Sequence, residues 1–439
     1  MDDDEIERIL EKNIPKSMLQ RGRTTVDSLM SPIRDVLNRR QFPDKALTDH
    51  QIEMMLQILS SLDTDKDPDA ARVGEREARV ASPLIGRLSA GFNHGVGRSG
   101  QLTAPQPKAP GASLMQQVAN TVSLDAIRKL GLSNMKTGIV TPLSTGMSIS
   151  LILSALRREH GVKKVLFPRI DHTSPHRAID LSGLEKIIVP TIIDGDAVRV
   201  DLGLLEEKIK ATKSSAVLAT TTFFPPRASD PVKEIAKSCA EYQVPLIINN
   251  AYGVQSERVM SEIRSAVDAG RVDAVVQSND KNFLTPVGAS IVVSPSKEFI
   301  DQIAETYAGR ASAAPVVQTL AALLALGLDN YKDLRRIQTE NLNLLYERMN
   351  EIANKLGQRV LSVWNPVACA ITMDGMPVKE IGARLYNARV TGPRAIEKGE
   401  YGSSTDDYPH SYMVMNAAIG ASKNDVETAT AKFYKEASK

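Results

Sequence analysis

Three short segments carry side chains that could do chemistry together. Lys281, in Ser278-Asn279-Asp280-Lys281, follows the apolar run Ala274 to Val276, which reads as a buried strand. Burying an ammonium is costly unless its pKa falls or it reacts, and imine formation with an aldehyde resolves that conflict. Ser144-Thr145-Gly146-Met147-Ser148 lies between a predicted strand, Gly138 to Leu143, and a predicted helix, Met147 to Glu159. Free backbone N–H groups and hydroxyls at such a junction can cradle a phosphate, although Ser and Thr there also serve as plain N-caps. Asn249-Asn250-Ala251-Tyr252-Gly253 follows the run Pro245 to Ile248 and, taken singly, is a glycine-containing turn. His172, in Pro168-Arg169-Ile170-Asp171-His172, follows another predicted strand end and comes between the phosphate cup and Asn249 in the chain.

The elements that must position these residues follow from the alternation of apolar runs with amphipathic segments. Strands are expected at Gly138 to Leu143, Lys164 to Pro168, Lys186 to Pro190, Ala216 to Ala219, Pro245 to Ile248, Ala274 to Val276 and Ser290 to Val293. Helical spacing falls between most of them, at Met147 to Glu159, Leu202 to Ala211, Pro231 to Tyr242 and Ser256 to Ala269. This is the pattern of an α/β chain with a mostly parallel sheet and flanking helices. Residues 1–70 read as an N-terminal helical extension, with helices at Ser28 to Leu37 and Ile52 to Leu62 broken by Pro32, Pro43 and a polar stretch. The large α/β domain is expected over 71–312. Residues 313–439 supply two helices, Val316 to Leu328 and Tyr331 to Leu356, and then a small α+β domain with elements at Ala368 to Met373, Val378 to Tyr386 and Asn424 to Tyr434. The Gly-, Pro- and Ser-rich stretch Gly91 to Gly111 lacks either period and reads as a loop with a task of its own.

Bulk properties exclude several classes. The chain of 439 residues has 42% hydrophobic but only 4% aromatic residues, so its core is built mainly from Ala, Val, Ile, Leu and Met. A net charge of +2 gives no global case for nucleic acid, and any such partner must be argued from a local basic face. Cys239 and Cys369 are the two cysteines, which indicates neither a disulfide framework nor a Cys-based zinc site, and no metal site is expected. The acidic Met1 to Glu7 is unlike a signal peptide, and the apolar stretch near Leu320 to Leu328 is too short to span a bilayer. A cytoplasmic protein without a membrane partner is the expectation.

The turn Asn249 to Gly253 resembles the D-x-A-[HY]-G motif of fold-type I, aspartate aminotransferase-like enzymes that use pyridoxal 5'-phosphate (PLP), with Asn249 in place of the Asp that meets the pyridine nitrogen. Ser278 to Lys281 matches the S-x-x-K of many such enzymes. Further segments sharpen the likeness: Val73-Gly74-Glu75-Arg76-Glu77-Ala78-Arg79, Gly97-Arg98-Ser99-Gly100, Gln106-Pro107-Lys108, Asn249 to Gln255, Gln277 to Phe283 and Gly309-Arg310-Ala311-Ser312. Together these resemble the O-phosphoseryl-tRNA(Sec) selenium transferase family, over roughly Ile14 to Ala421. The resemblance implies a homotetramer, a dimer of dimers, that converts O-phosphoseryl-tRNA(Sec) to selenocysteinyl-tRNA(Sec) with selenophosphate. It implies Lys281 as the Schiff-base lysine and base, Asn249 as the ring partner, His172 stacked over the ring, and Ser144, Thr145, Gly146 and Ser278 as further cofactor contacts. The loop 97–111 becomes a substrate phosphate-binding loop, with Arg98, Ser99, Gln106 and Arg310 as receivers and Arg76 beside them. A dianionic phosphate calls for guanidinium forks and neutral donors, which those residues are. Arg39, Arg40 and, in a looser match, Arg394 correspond to tRNA contacts; DNA is not expected. The main alternatives are a Sep-tRNA:Cys-tRNA synthase, a cysteine desulfurase, or a tRNA-binding protein without chemistry. Desulfurases need a mobile, activated cysteine, and both cysteines here fall inside apolar patterns.

Overall fold

The computed structural model describes residues 12–439, so the acidic Met1 to Glu7 lies outside it. Strands form at β1 (Thr137–Thr141), β2 (Lys164–Pro168), β3 (Glu185–Val189), β4 (Thr191–Asp194), β5 (Ala197–Val200), β6 (Ser215–Thr220), β7 (Leu246–Asn249), β8 (Ala274–Ser278) and β9 (Ser290–Ser294). In the second half β10 (Ala368–Thr372), β11 (Arg394–Ile396) and β12 (Tyr412–Asn416) follow. The central sheet has seven strands in the order β1-β9-β8-β7-β6-β2-β3. Only β9 runs against the rest, pairing antiparallel with both β1 and β8. The carboxyl ends of β1, β2, β6, β7 and β8 therefore open along one edge, and the segments carrying Thr145, His172, Asn249 and Lys281 leave the sheet there. Burial on both faces explains the unbroken apolar runs: every residue of β6, β7, β8 and β9 is buried. A hairpin of β4 with β5 was not anticipated; most of β4 is exposed, so no apolar run marks it.

The helix Lys16–Arg39 passes through Pro32 instead of breaking there. Proline forfeits one backbone hydrogen bond, and Ile33 and Val36, buried just beyond it, anchor the final turn on the core. The two expected helices after Ala313 form one segment, Ala314–Leu356, kinked at Gly327, whose φ is 63° and ψ 167°. A Cβ at Gly327 would stand 2.6 Å from the Ala46 backbone nitrogen, so glycine is required on both counts. One apolar core runs from Ile33 through Tyr331 and takes in the helices Lys16–Arg39 and Asp49–Ser60. A second core fills the small domain, from Leu345 to Ala437. A third, with Val198, Tyr252, Tyr408 and Tyr412, joins the hairpin to the small sheet β10-β12-β11. Among the described residues no helix is long and apolar enough to cross a membrane.

Candidate functional site

A cavity of about 340 Å³ opens at the carboxyl edge of the sheet, and Thr145, Gly146, His172, Asn249 and Lys281 all line it. Residues spread over more than a hundred positions thus meet because they follow β1, β2, β7 and β8. The helix Thr145–His160 starts at the cavity, and Ser144 at its N-cap makes no side-chain capping bond, which leaves the first N–H groups without that partner. Ser144 is exposed and does not line the cavity. Gly146 is needed for space: a Cβ there would sit 2.2 Å from the Ser174 hydroxyl.

Lys281 is not buried. The strand before it is, but Lys281 stands on a short helix, Asn279–Phe283, with its side chain exposed toward the open cavity. Burial therefore does not mark this lysine, contrary to the expectation from sequence. Its backbone, in contrast, is pinned. Gln255 donates from Nε2 to the Lys281 carbonyl at 2.8 Å and accepts from the Ile419 N–H at 2.8 Å. Asn282 holds the same turn through bonds to the Ala251 and Ser278 carbonyls. Ser278 is buried, does not line the cavity itself, and donates its hydroxyl to Asp280, which does.

His172 caps the helix Thr173–Ser182 and packs edge-on against Phe223, 6.0 Å between centroids. Burial holds its pKa below the usual histidine range, and the positive charges of Lys281 and Arg394 push the same way. A neutral imidazole follows. Asn249 is buried, and among the described residues neither its Oδ1 nor the buried Thr145 Oγ1 has a hydrogen-bond partner. Unpaired polar atoms in a cavity of ligand size, together with a helix N-terminus, fit a planar, phosphorylated aldehyde cofactor such as PLP. Sequence reasoning missed Phe223, Phe224, Asn416 and Ile419 of the lining, which come from loops and the small domain; Tyr252 and Gln255 lay within the quoted NNAYGVQ segment.

Arg76, Arg98, Ser99, Gln106 and Arg310 line none of this cavity. They belong to a separate loop region. Val96 and Ala311 exchange backbone bonds of 3.0 and 3.2 Å, which fixes Arg310 beside the turn Arg98 to Gln101. Gly97, with φ 68°, allows this: its Cβ would lie 2.2 Å from the Leu102 carbonyl. Arg310 donates to the His94 carbonyl, and its Nε is buried without a partner among the described residues. Burial lowers its pKa, as does the nearby Arg76 charge. Arg98 and Ser99 are exposed at the turn, and no carboxylate pairs with Arg76 or Arg98 among the described residues. Glu77 is instead engaged by Lys108. The last two loop positions, Pro110 and Gly111, already belong to the helix Pro110–Lys129.

Arg39 and Arg40 are exposed where the N-terminal helix ends. Arg394 lies close to the cavity: its guanidinium stacks 4.3 Å over Phe224, makes no hydrogen bond or ion pair among the described residues, and acts on His172 electrostatically. Both cysteines are buried, and burial pushes each thiol up to about 12, far from an activated nucleophile.

Residues 62–438 match the family model described as O-phosphoseryl-tRNA(Sec) selenium transferase. A relative of that name from Methanococcus maripaludis is 44% identical over 432 residues, covering 97% of this chain and 98% of its own. The crystal structure of an archaeal O-phosphoseryl-tRNA(Sec) selenium transferase superposes with a TM-score of 0.93 at 44% identity, covering 96% of this chain and 98% of the other. The fold alone is shared more widely: Oryza sativa TDC, solved with PLP and tryptamine, gives a TM-score of 0.59 at 13% identity over 97% of this chain and 98% of that one.

Proposed function

The chain belongs to the O-phosphoseryl-tRNA(Sec) selenium transferase family, and on that premise we propose how its residues divide the work. It is a PLP-dependent enzyme of fold type I that makes selenocysteinyl-tRNA(Sec) from O-phosphoseryl-tRNA(Sec). The selenium donor is selenophosphate, the assembly a homotetramer, and the compartment the cytoplasm; these three belong to the proposal.

PLP, when bound, supplies an aldehyde for an amine and an electron sink that acidifies the α-C–H of an aminoacyl group. Thr145, Gly146 and the first N–H groups of their helix would hold its phosphate, Asn249 would serve the ring nitrogen, and neutral His172 would pack on the ring. Lys281 Nζ would hold the aldehyde and, freed when substrate is bound, would take the α-proton. Arg98, Ser99, Gln106 and Arg310, with Arg76 adjacent, bind the phosphoryl group on the β-carbon and draw it off as phosphate. The selenium of selenophosphate would then bond to that carbon, the α-carbon would regain a proton, and water would take the phosphoryl group from selenium as phosphate. Asn249 as an amide cannot keep the ring nitrogen protonated as a carboxylate does, which suits elimination with a good leaving group and disfavours transamination.

The observation that carries this division is the separation of the two groups. The Lys281 cavity contains no guanidinium of the loop, so a second copy of the chain is the natural source of the phosphate receivers, in keeping with a tetramer. Arg39, Arg40 and Arg394 contact the tRNA, Arg394 at its acceptor end. The test compares two variants. Lys281→Ala should lose both the borohydride-sensitive visible band and phosphate release from O-phosphoseryl-tRNA(Sec), whereas Arg98→Ala should keep the band and slow phosphate release by about 10–100-fold. Equal rates for Arg98→Ala and the unaltered enzyme would remove the loop from the reaction.

A further inference from the structure

A second cavity, also about 340 Å³, lies on another part of the large domain and is lined by Lys129, Leu130, Gly131, Glu257, Ser261, Arg264, Lys332 and Arg335. Four of these are cations and one is an acid. Lys129 is committed: it donates to the Phe42 carbonyl at 2.6 Å and lies 3.3 Å from Asp125 and 3.5 Å from Asp44. Arg264 and Lys332 are exposed, and neither pairs with a carboxylate among the described residues. Arg335 is only 8% exposed. Its Nε and Nη2 donate to the carbonyls of Val254, at 3.0 Å, and Leu130, at 2.9 Å, which are neutral acceptors. Among the described residues the one carboxylate paired with it is Glu257, 3.6 Å from Nη1 and itself 83% exposed. Asp333, on the same helix, faces Arg336 instead.

A buried guanidinium with no buried counter-charge is expensive, and two unpaired cations at the mouth add to the same positive field. An anion in the cavity would offset that cost. We propose that this cavity is a second anion site, built for a phosphoryl group, distinct from the loop of Arg98 and Arg310. Guanidinium forks favour phosphate over a halide because they present paired donors to its oxygens. The cavity flanks the segment that follows Arg40: Pro43 and Asp44 accept from the N–H groups of Leu328 and Asp329, one turn before Lys332. A tRNA backbone phosphate held by the N-terminal basic residues could therefore reach it, as could free inorganic phosphate. The RNA arm rests on the tRNA reading above; the free-phosphate arm does not.

The test uses the full-length assembled enzyme and the double variant Arg264→Glu with Lys332→Glu. Arg335 is left intact because it braces the turn that carries Gln255 and hence the Lys281 backbone. Affinity for tRNA(Sec) is measured as a function of salt, and thermal stability is measured in inorganic phosphate against chloride at equal ionic strength. Loss of about tenfold or more in RNA affinity, with a salt slope smaller by roughly 1–2, assigns the site to the RNA backbone. Loss of the phosphate-dependent rise in Tm with RNA affinity unchanged assigns it to free phosphate. No change in either overturns the proposal, and so does a changed oligomeric state, which would give the cavity to a carboxylate of another copy. Phosphate release at saturating O-phosphoseryl-tRNA(Sec) should be retained by the variant, which keeps failure of this proposal separate from failure of the catalytic reading.

Discussion

His172 gives a direct view of the cavity's electrostatics. Burial and the charges of Lys281 and Arg394 all disfavour the imidazolium. An NMR titration should place His172 below the usual histidine value, and Lys281→Ala should move it upward without restoring it fully, since burial remains. Because the folded-state pKa is depressed, the stabilising contribution of neutral His172 is complete above the unfolded value near 6.5. It is lost as pH falls below that value toward the folded one. An unchanged titration in Lys281→Ala would show that the two side chains do not face the same cavity. At Asn249 the expected change is chemical: Asn249→Asp should raise the proportion of transamination to phosphate elimination, read as the ratio of the two products from one substrate. Lys281 itself shows where residue-level reading of the sequence misled. Its neighbours on β8 are buried, yet the side chain leaves the strand on a five-residue helix and meets open space, which no local pattern records.

The strands were legible because a sheet covered on both faces writes itself as apolar runs, and β2 matches the expected limits residue for residue. The β4–β5 hairpin was not, since most of β4 faces outward and lacks that mark. The cavity wall built from Phe223, Phe224, Asn416 and Ile419 was equally invisible, because it depends on how the small domain seats against loops of the large one. Glycine positions carry the element-scale predictions. Gly97→Ala puts a side chain 2.2 Å from the Leu102 carbonyl at a φ of 68°. It should slow phosphate release while leaving the cofactor band intact, as rates and spectra of one preparation would show. Gly327→Ala strains the kink that fits helix Ala314–Leu356 around Ala46. A cost of roughly 1–3 kcal/mol follows, visible as a fall of several degrees in Tm; an unaltered Tm would mean that the kink can be relieved without loss.

Across the whole molecule, Lys281 with the proposed cofactor cup at the sheet edge and the loop guanidiniums proposed as phosphate receivers sit apart in one chain. Co-expressing Lys281→Ala with Arg98→Ala subunits should therefore raise phosphate release above that of either variant alone. On the tRNA side, Arg39→Ala with Arg40→Ala should weaken tRNA(Sec) binding and reduce its salt slope by roughly 1.5–2. The resemblance reached this level through motifs such as Gly97 to Gly100 and Gln277 to Phe283, while the spatial division between cup and loop became visible only in the fold. The most direct measurement incubates the purified enzyme with O-phosphoseryl-tRNA(Sec) and selenophosphate and identifies the aminoacyl product. Selenocysteinyl-tRNA(Sec) with release of phosphate, slowed by about 10²–10⁴-fold or more in Lys281→Ala, is the expected result. Recovery of unchanged O-phosphoseryl-tRNA(Sec), or a Lys281→Ala variant as active as the unaltered enzyme, would contradict it.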